Sequence, residues 1–141
     1  MNDAGTILLA DSNPDELLLL EQALREAGFS HKIVALNDGA ELLAYLAGER
    51  AYADRAAFPL PVLLVAESRL RLHGPVEALQ WIKTNPDTGK AITVLILSMV
   101  DDPLAKEALL KLGADAFLVK PFGYEDLLAM VRDWRKYLHG A

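Results

Sequence analysis

Five short, nearly unbroken apolar runs are spaced along the chain: TILLA (6–10), KIVAL (32–36), VLLVA (62–66), TVLIL (93–97) and AFLV (116–119). A strand with one wet face alternates apolar with polar residues. Runs without that alternation suit strands covered on both faces, as in a parallel sheet. The segments between them have helical spacing and readable starts. Asn13-Pro14-Asp15-Glu16 offers a cap, a proline at the first helical position and acids in the first turn. That helix is predicted to close at Gly28. A second is predicted after Asn37-Asp38 to about Leu46, a third from Pro75, and a fourth from Asp102-Pro103 to Gly113. The fifth runs from about Tyr124 to Leu138, where Leu127, Leu128, Val131, Trp134 and Leu138 share one face. The connection 48–61, GERAYADRAAFPLP, is longer than such units usually need.

Strand–helix alternation predicts an α/β protein. The expected fold is (βα)5, a doubly wound, five-stranded parallel sheet with right-handed crossovers and the flavodoxin-like order 2-1-3-4-5. One domain over residues 1–141 is expected, with its core at about 5–138. In that strand order, ligands sit at the carboxyl ends of strands 1 and 3. This directs attention to Asp11, Ser12, Asn13, Ala66, Glu67, Ser98 and the neighbourhood of Lys120.

Composition narrows the classes. Hydrophobic residues make up 52% and charged residues 24%, the balance of a soluble globular chain. A net charge of −6 argues against direct nucleic-acid binding, which needs a basic footprint. There are no cysteines, so disulfides, thiolate chemistry and cysteine zinc sites are out. His31, His73 and His139 are scattered and suggest no metal site. No apolar run approaches a membrane span and no secretory leader is visible, so a cytoplasmic location is expected.

The strand ends carry a resemblance. ILLADSNPDE at strand 1, LILSMVDD at strand 4 and GADAFLVKPF, Gly113 to Phe122, at strand 5 resemble the response-regulator receiver domain of two-component signalling over roughly residues 5 to 138. The resemblance implies phosphoryl transfer from a histidine kinase to an aspartate ending strand 3. Neighbouring acids would hold Mg²⁺, a lysine would face the phosphoryl charge and a hydroxyl would follow it. It also places a glycine eight residues after the acceptor. Counting back from Gly74 gives Ala66, whose methyl group cannot form an acyl phosphate. Ser12 stands where the resemblance implies an acid in direct metal contact. Ser98 and Lys120 match their positions, Phe117 matches a switching aromatic expected here to prefer burial, and the Lys120-Pro121 bond is expected to be cis.

The reading is therefore a degenerate receiver with no enzymatic activity and no catalytic residue, in which Asp11, Ser12, Ala66, Ser98 and Lys120 are remnants. No metal is expected (Asp11 at most would hold one), nor any cofactor, since magnesium binding would be weak or lost. Asp11 is expected to pair with Lys120 instead. The chain runs about three residues past helix 5, so output is expected by docking to a protein such as a histidine kinase or a second regulator. The family often pairs through helix 4, strand 5 and helix 5, so a homodimer by that route is an option here.

An alternative keeps phosphotransfer with Asp11, Glu67 or Ser68 as acceptor. Alternating side-chain directions should turn Glu67 away from Ala66 unless the strand has ended. A flavodoxin-like cofactor site would need glycines and hydroxyls after strand 1, which DSNPDE lacks. Leu17–Leu20 encircle their helix, leaving Leu18 and Leu19 candidates for an exposed patch, whereas Trp134 reads as core.

Overall fold

The computed structural model describes residues 5–72, 74–86 and 92–138; His73 and His139 lie outside them. Five strands, β1 Thr6–Ala10, β2 Lys32–Leu36, β3 Leu63–Glu67, β4 Thr93–Ser98 and β5 Ala116–Val119, form one parallel sheet in the order β2-β1-β3-β4-β5. Both the order and the strand directions agree with the expected doubly wound fold. β3 begins and ends one residue later than its apolar run, because it takes in Glu67, which pairs with Leu97 of β4.

The helices follow from local chemistry. α1 Pro14–Glu26 opens with the Asn13 side chain accepting from the Asp15 amide, and Pro14 occupies a first-turn position whose amide needs no partner. α2 Gly39–Ala47 and α4 Pro103–Lys111 are capped by Asp38 and Asp102, which accept from the Glu41 and Ala105 amides. α3 spans Pro75–Thr84. α5 Tyr124–Asp133 stops earlier than its apolar stripe predicted and tightens into a 3₁₀ turn, Trp134–Tyr137, which keeps Trp134 buried.

Each face of the sheet has its own core. Alternate strand residues Leu8, Leu64, Val94 and Ile96 pack with Leu42, Tyr45, Leu79 and Phe117 on one side. Ile7, Leu9, Leu63, Val65 and Leu95 pack with Leu20, Leu24, Val131 and Trp134 on the other. This double burial is why the strands read as continuous apolar runs. The long connection is also folded. It holds a 3₁₀ turn, Arg50–Tyr52, whose Tyr52 ring lies beside Tyr45 and Phe58. Arg55 donates to the Tyr45, Leu46 and Phe58 carbonyls, satisfying the open end of α2. Among the described residues, no helix is long and apolar enough to cross a membrane.

Candidate functional site

Asp11, Ser12, Ala66, Ser98 and Lys120 gather at the carboxyl edge of the sheet, because parallel strands end together there. β1 delivers Asp11 and Ser12, β3 delivers Ala66 and Glu67, β4 delivers Ser98, and β5 delivers Lys120. Ala66 lies between Ala10 and Ile96 in the ladder and is 0% exposed, its methyl group part of the core.

Asp11 is buried and its Oδ1 accepts from the Asn13 amide at 2.9 Å. Ser12 Oγ accepts from the Arg71 amide at 2.9 Å, while the Arg71 carbonyl accepts from the Gly39 amide at 2.7 Å. The β3–α3 loop is thus strung between the end of β1 and the start of α2. Ser98 Oγ turns onto its own loop, donating to the Val100 carbonyl at 2.6 Å and accepting from the Val100 amide at 3.2 Å. Phe117 is buried, as its lack of a hydroxyl predicted.

Three expectations need correction. Lys120 does not pair with Asp11. Its side chain is 9% exposed, and its ammonium pairs with Glu16 from the first turn of α1. The physical reason is reach: α1 begins at the same sheet edge where β5 ends, and Asp11 is already engaged by the Asn13 amide. Burial pulls the Lys120 ammonium below its usual range, and the charge of Asp11 opposes that fall. The Lys120-Pro121 bond is trans, not cis, the isomer intrinsically favoured for any X–Pro bond. Glu67 is not directed away from the crevice. It is the last residue of β3, partly buried, and close enough to Asp11 for that carboxylate's charge to act on it. Burial first, then the adjacent charge of Asp11, raises the Glu67 carboxyl above its ordinary value.

Two of these residues escape a reading of the sequence: Glu16 looks like an acid suited to a helix N-terminus, and Arg71 carries no signal at all. The position of α1 over the strand ends was the usable clue for Glu16.

The donors do not make a magnesium cradle. Asp11 and Glu67 are neighbouring carboxyls, and burial and the Asp11 charge act against ionisation of Glu67. The Ser12 hydroxyl is engaged by an amide, and no group of three or more potential ligands is found among the described residues. Mg²⁺ prefers several oxygen ligands with ionised carboxylates among them.

A parallel (βα)5 sheet with an acid-and-lysine edge defines the class. A family model for the response regulator receiver domain matches residues 7–132, and the chain belongs to that family, a receiver domain of two-component signalling. Among curated proteins it is 28% identical over 131 residues to response regulator Rcp1 of Synechocystis sp., covering 93% of this chain and 86% of the relative. It is 30% identical over 140 residues to the probable methanogenesis regulatory protein FilR2 of Methanothrix harundinacea, covering 98% and 86%. Response regulator RPA3017 of R. palustris shares the fold, with TM-score 0.87, 22% identity and coverage of 97% and 96%. The phosphorylated cyanobacterial phytochrome response regulator RcpA matches with TM-score 0.84, 26% identity and the same coverage.

Proposed function

We propose that this receiver signals by protein–protein docking without accepting a phosphoryl group. The observation that carries the proposal is Ala66: a buried methyl group stands near the end of β3, eight residues before Gly74, where the family's acceptor aspartate is expected. An acyl phosphate needs a carboxylate there, and the surrounding parts have relaxed in the same direction. Ser12 offers a hydroxyl in place of an acid, Ser98 is turned onto Val100, and the Lys120 charge is met by Glu16. The partner class is a histidine kinase or another regulator, the proteins with which receiver domains interact.

A second reading takes Glu67 as acceptor, favoured by its carboxyl lying beside Asp11. Burial and the neighbouring Asp11 charge raise that carboxyl above its ordinary value, which acts against the charged form that would attack. Incubation with radiolabelled acetyl phosphate and Mg²⁺, followed by intact-mass analysis, separates the readings. No stable label is expected. Label abolished by Glu67→Gln, Ser68→Ala or Asp11→Asn would overturn the first reading.

A further inference from the structure

In a doubly wound parallel sheet every helix starts at the carboxyl edge and ends at the amino edge. Charges that suit the two ends of each helix therefore add up across the molecule. Here the first turns of α1 and α5 carry Asp15, Glu16, Glu125 and Asp126, and the last turns of α1, α3, α4 and α5 carry Arg25, Lys83, Lys111 and Arg132. A chain of net charge −6 thus presents cations at its amino edge. Acids that share that edge are engaged: Glu26 accepts from the Tyr124 hydroxyl, Asp133 pairs with Lys136, and Asp115 accepts from the Val94 amide. Between the ends of α3 and α4 lies an open groove of about 280 Å³, lined by Leu79, Ile82, Lys83, Lys111, Leu112 and Gly113. Leu79 is 2% exposed, and Ile82 and Leu112 pack against the same core. The floor is apolar and recessed, and each helix contributes a lysine to the walls.

A lysine in the last turn of a helix is ordinary by itself. Dipole complementarity does not require two of them to wall one apolar floor. Neither charge is neutralised. Lys83 has no ion-pair partner among the described residues, and Lys111 meets Glu107 at 3.7 Å with the two side chains 77% and 66% exposed, a contact worth little. A membrane surface cannot reach a recessed floor, and nucleic acid needs a denser basic footprint than this anionic chain offers. The groove is smaller than the ~300–1,000 Å³ sites that enclose small molecules, so it suits a side chain of a larger partner. We infer that the groove between the ends of α3 and α4 docks an apolar side chain of a protein segment flanked by acids. The anchor seats on Leu79, Ile82 and Leu112, and the flanking carboxylates meet Lys83 and Lys111, which supplies orientation and on-rate. The groove lies at the sheet edge opposite Ala66 and Lys120. The inference rests on the phosphorylation-independent reading and names a surface through which it would act.

The test uses the full chain and two labelled synthetic helices with the same leucine stripe, one flanked by glutamates and one by lysines. Fluorescence anisotropy is read with and without acetyl phosphate and Mg²⁺. The glutamate-flanked helix is expected to bind saturably without the phosphodonor, with affinity falling as salt rises. Lys83→Gln with Lys111→Gln should weaken it about fivefold, the combined effect of two rim charges. Lys106→Gln with Lys136→Gln removes the same charge from exposed positions outside the groove and should leave binding unchanged. Leu112→Ala, on the floor, should weaken binding at least about fivefold. Circular dichroism confirms that the variants fold. No saturable binding of the glutamate-flanked helix, equal losses in the two charge variants, or equally tight binding of the lysine-flanked helix through the groove overturns the proposal. So does cosedimentation with phosphatidylserine vesicles that is lost in the Lys83→Gln, Lys111→Gln variant, which would make an anionic membrane the occupant. Peptide binding that requires the phosphodonor, yet is still lost in that variant, overturns the phosphorylation-independent reading and leaves the groove standing.

Discussion

In the proposed reading, Ala66 and Ser12 stand where the family's chemistry asks for carboxylates, and Ala66 is the one whose replacement changes the core. Ala66 is fully buried, so its methyl group adds to the core, whereas a carboxylate there would join Asp11 and Glu67 at the same strand ends. Ala66→Asp is expected to cost roughly 2–4 kcal/mol at neutral pH, measured by urea unfolding, with part of the loss recovered in Mg²⁺. Ala66→Asp alone should take up little label from acetyl phosphate, and Ala66→Asp with Ser12→Asp substantially more. A double variant that folds, binds Mg²⁺ and stays unlabelled would show that Ala66 is not at the acceptor position.

His31 offers a separate test at the same scale. It is 7% exposed, neither ring nitrogen has a hydrogen-bond partner, and the guanidinium groups of Arg25 and Arg135 lie nearby. Burial, then the charges of Arg135 and Arg25, lowers its pKa from the ordinary 6.5. The unfolded chain therefore takes up a proton more readily than the folded one. Stability from this group is complete above 6.5 and declines as pH falls below it toward the lowered folded value. His31→Leu should flatten the dependence of urea midpoint on pH between about pH 7.5 and pH 5. It should cost little at the upper end, because no hydrogen bond is broken. An unchanged slope would remove His31 from the account.

At the scale of elements, the junction between α1 and the end of β5 matters most. Its ion pair is largely dry, with Lys120 at 9% and Glu16 at 24% exposure. Removing one partner leaves a charge without its counterion in a crevice, which costs more than removing both. Glu16→Leu and Lys120→Met are each expected to lose about 1–3 kcal/mol, less than a fully buried pair because Glu16 keeps some water. The double variant should lose clearly less than the sum, in chemical denaturation of all four proteins. Additive losses would mean that the contact carries no coupling.

The whole molecule consists of two cores on one sheet, and each contains or adjoins a tryptophan. Trp134 is buried in the core under α1 and α5, and Trp81 packs against the core on the opposite face. Every strand contributes to both faces, so neither core should persist without the other. Urea transitions followed by fluorescence in Trp81→Phe and Trp134→Phe should each coincide with the circular-dichroism transition of the same variant, as a cooperative single unit requires. A displaced transition would mean that one face unfolds first.

Much of this architecture was legible in the chain itself. Continuous apolar runs reported strands covered on both faces, and capping residues before Pro14, Gly39 and Pro103 marked helix starts, because both signals arise from local backbone and burial demands. Ala66, Ser12, Ser98 and Lys120 could be placed at one sheet edge, since parallel topology leaves no other arrangement. Tertiary structure alone decided who touches whom there. Glu16 meets Lys120 across a junction of segments about a hundred residues apart. Glu67 turns to Asp11, and Arg71 ties Ser12 to α2. Pairings of this kind depend on the reach of side chains between elements distant in sequence, which no periodicity encodes.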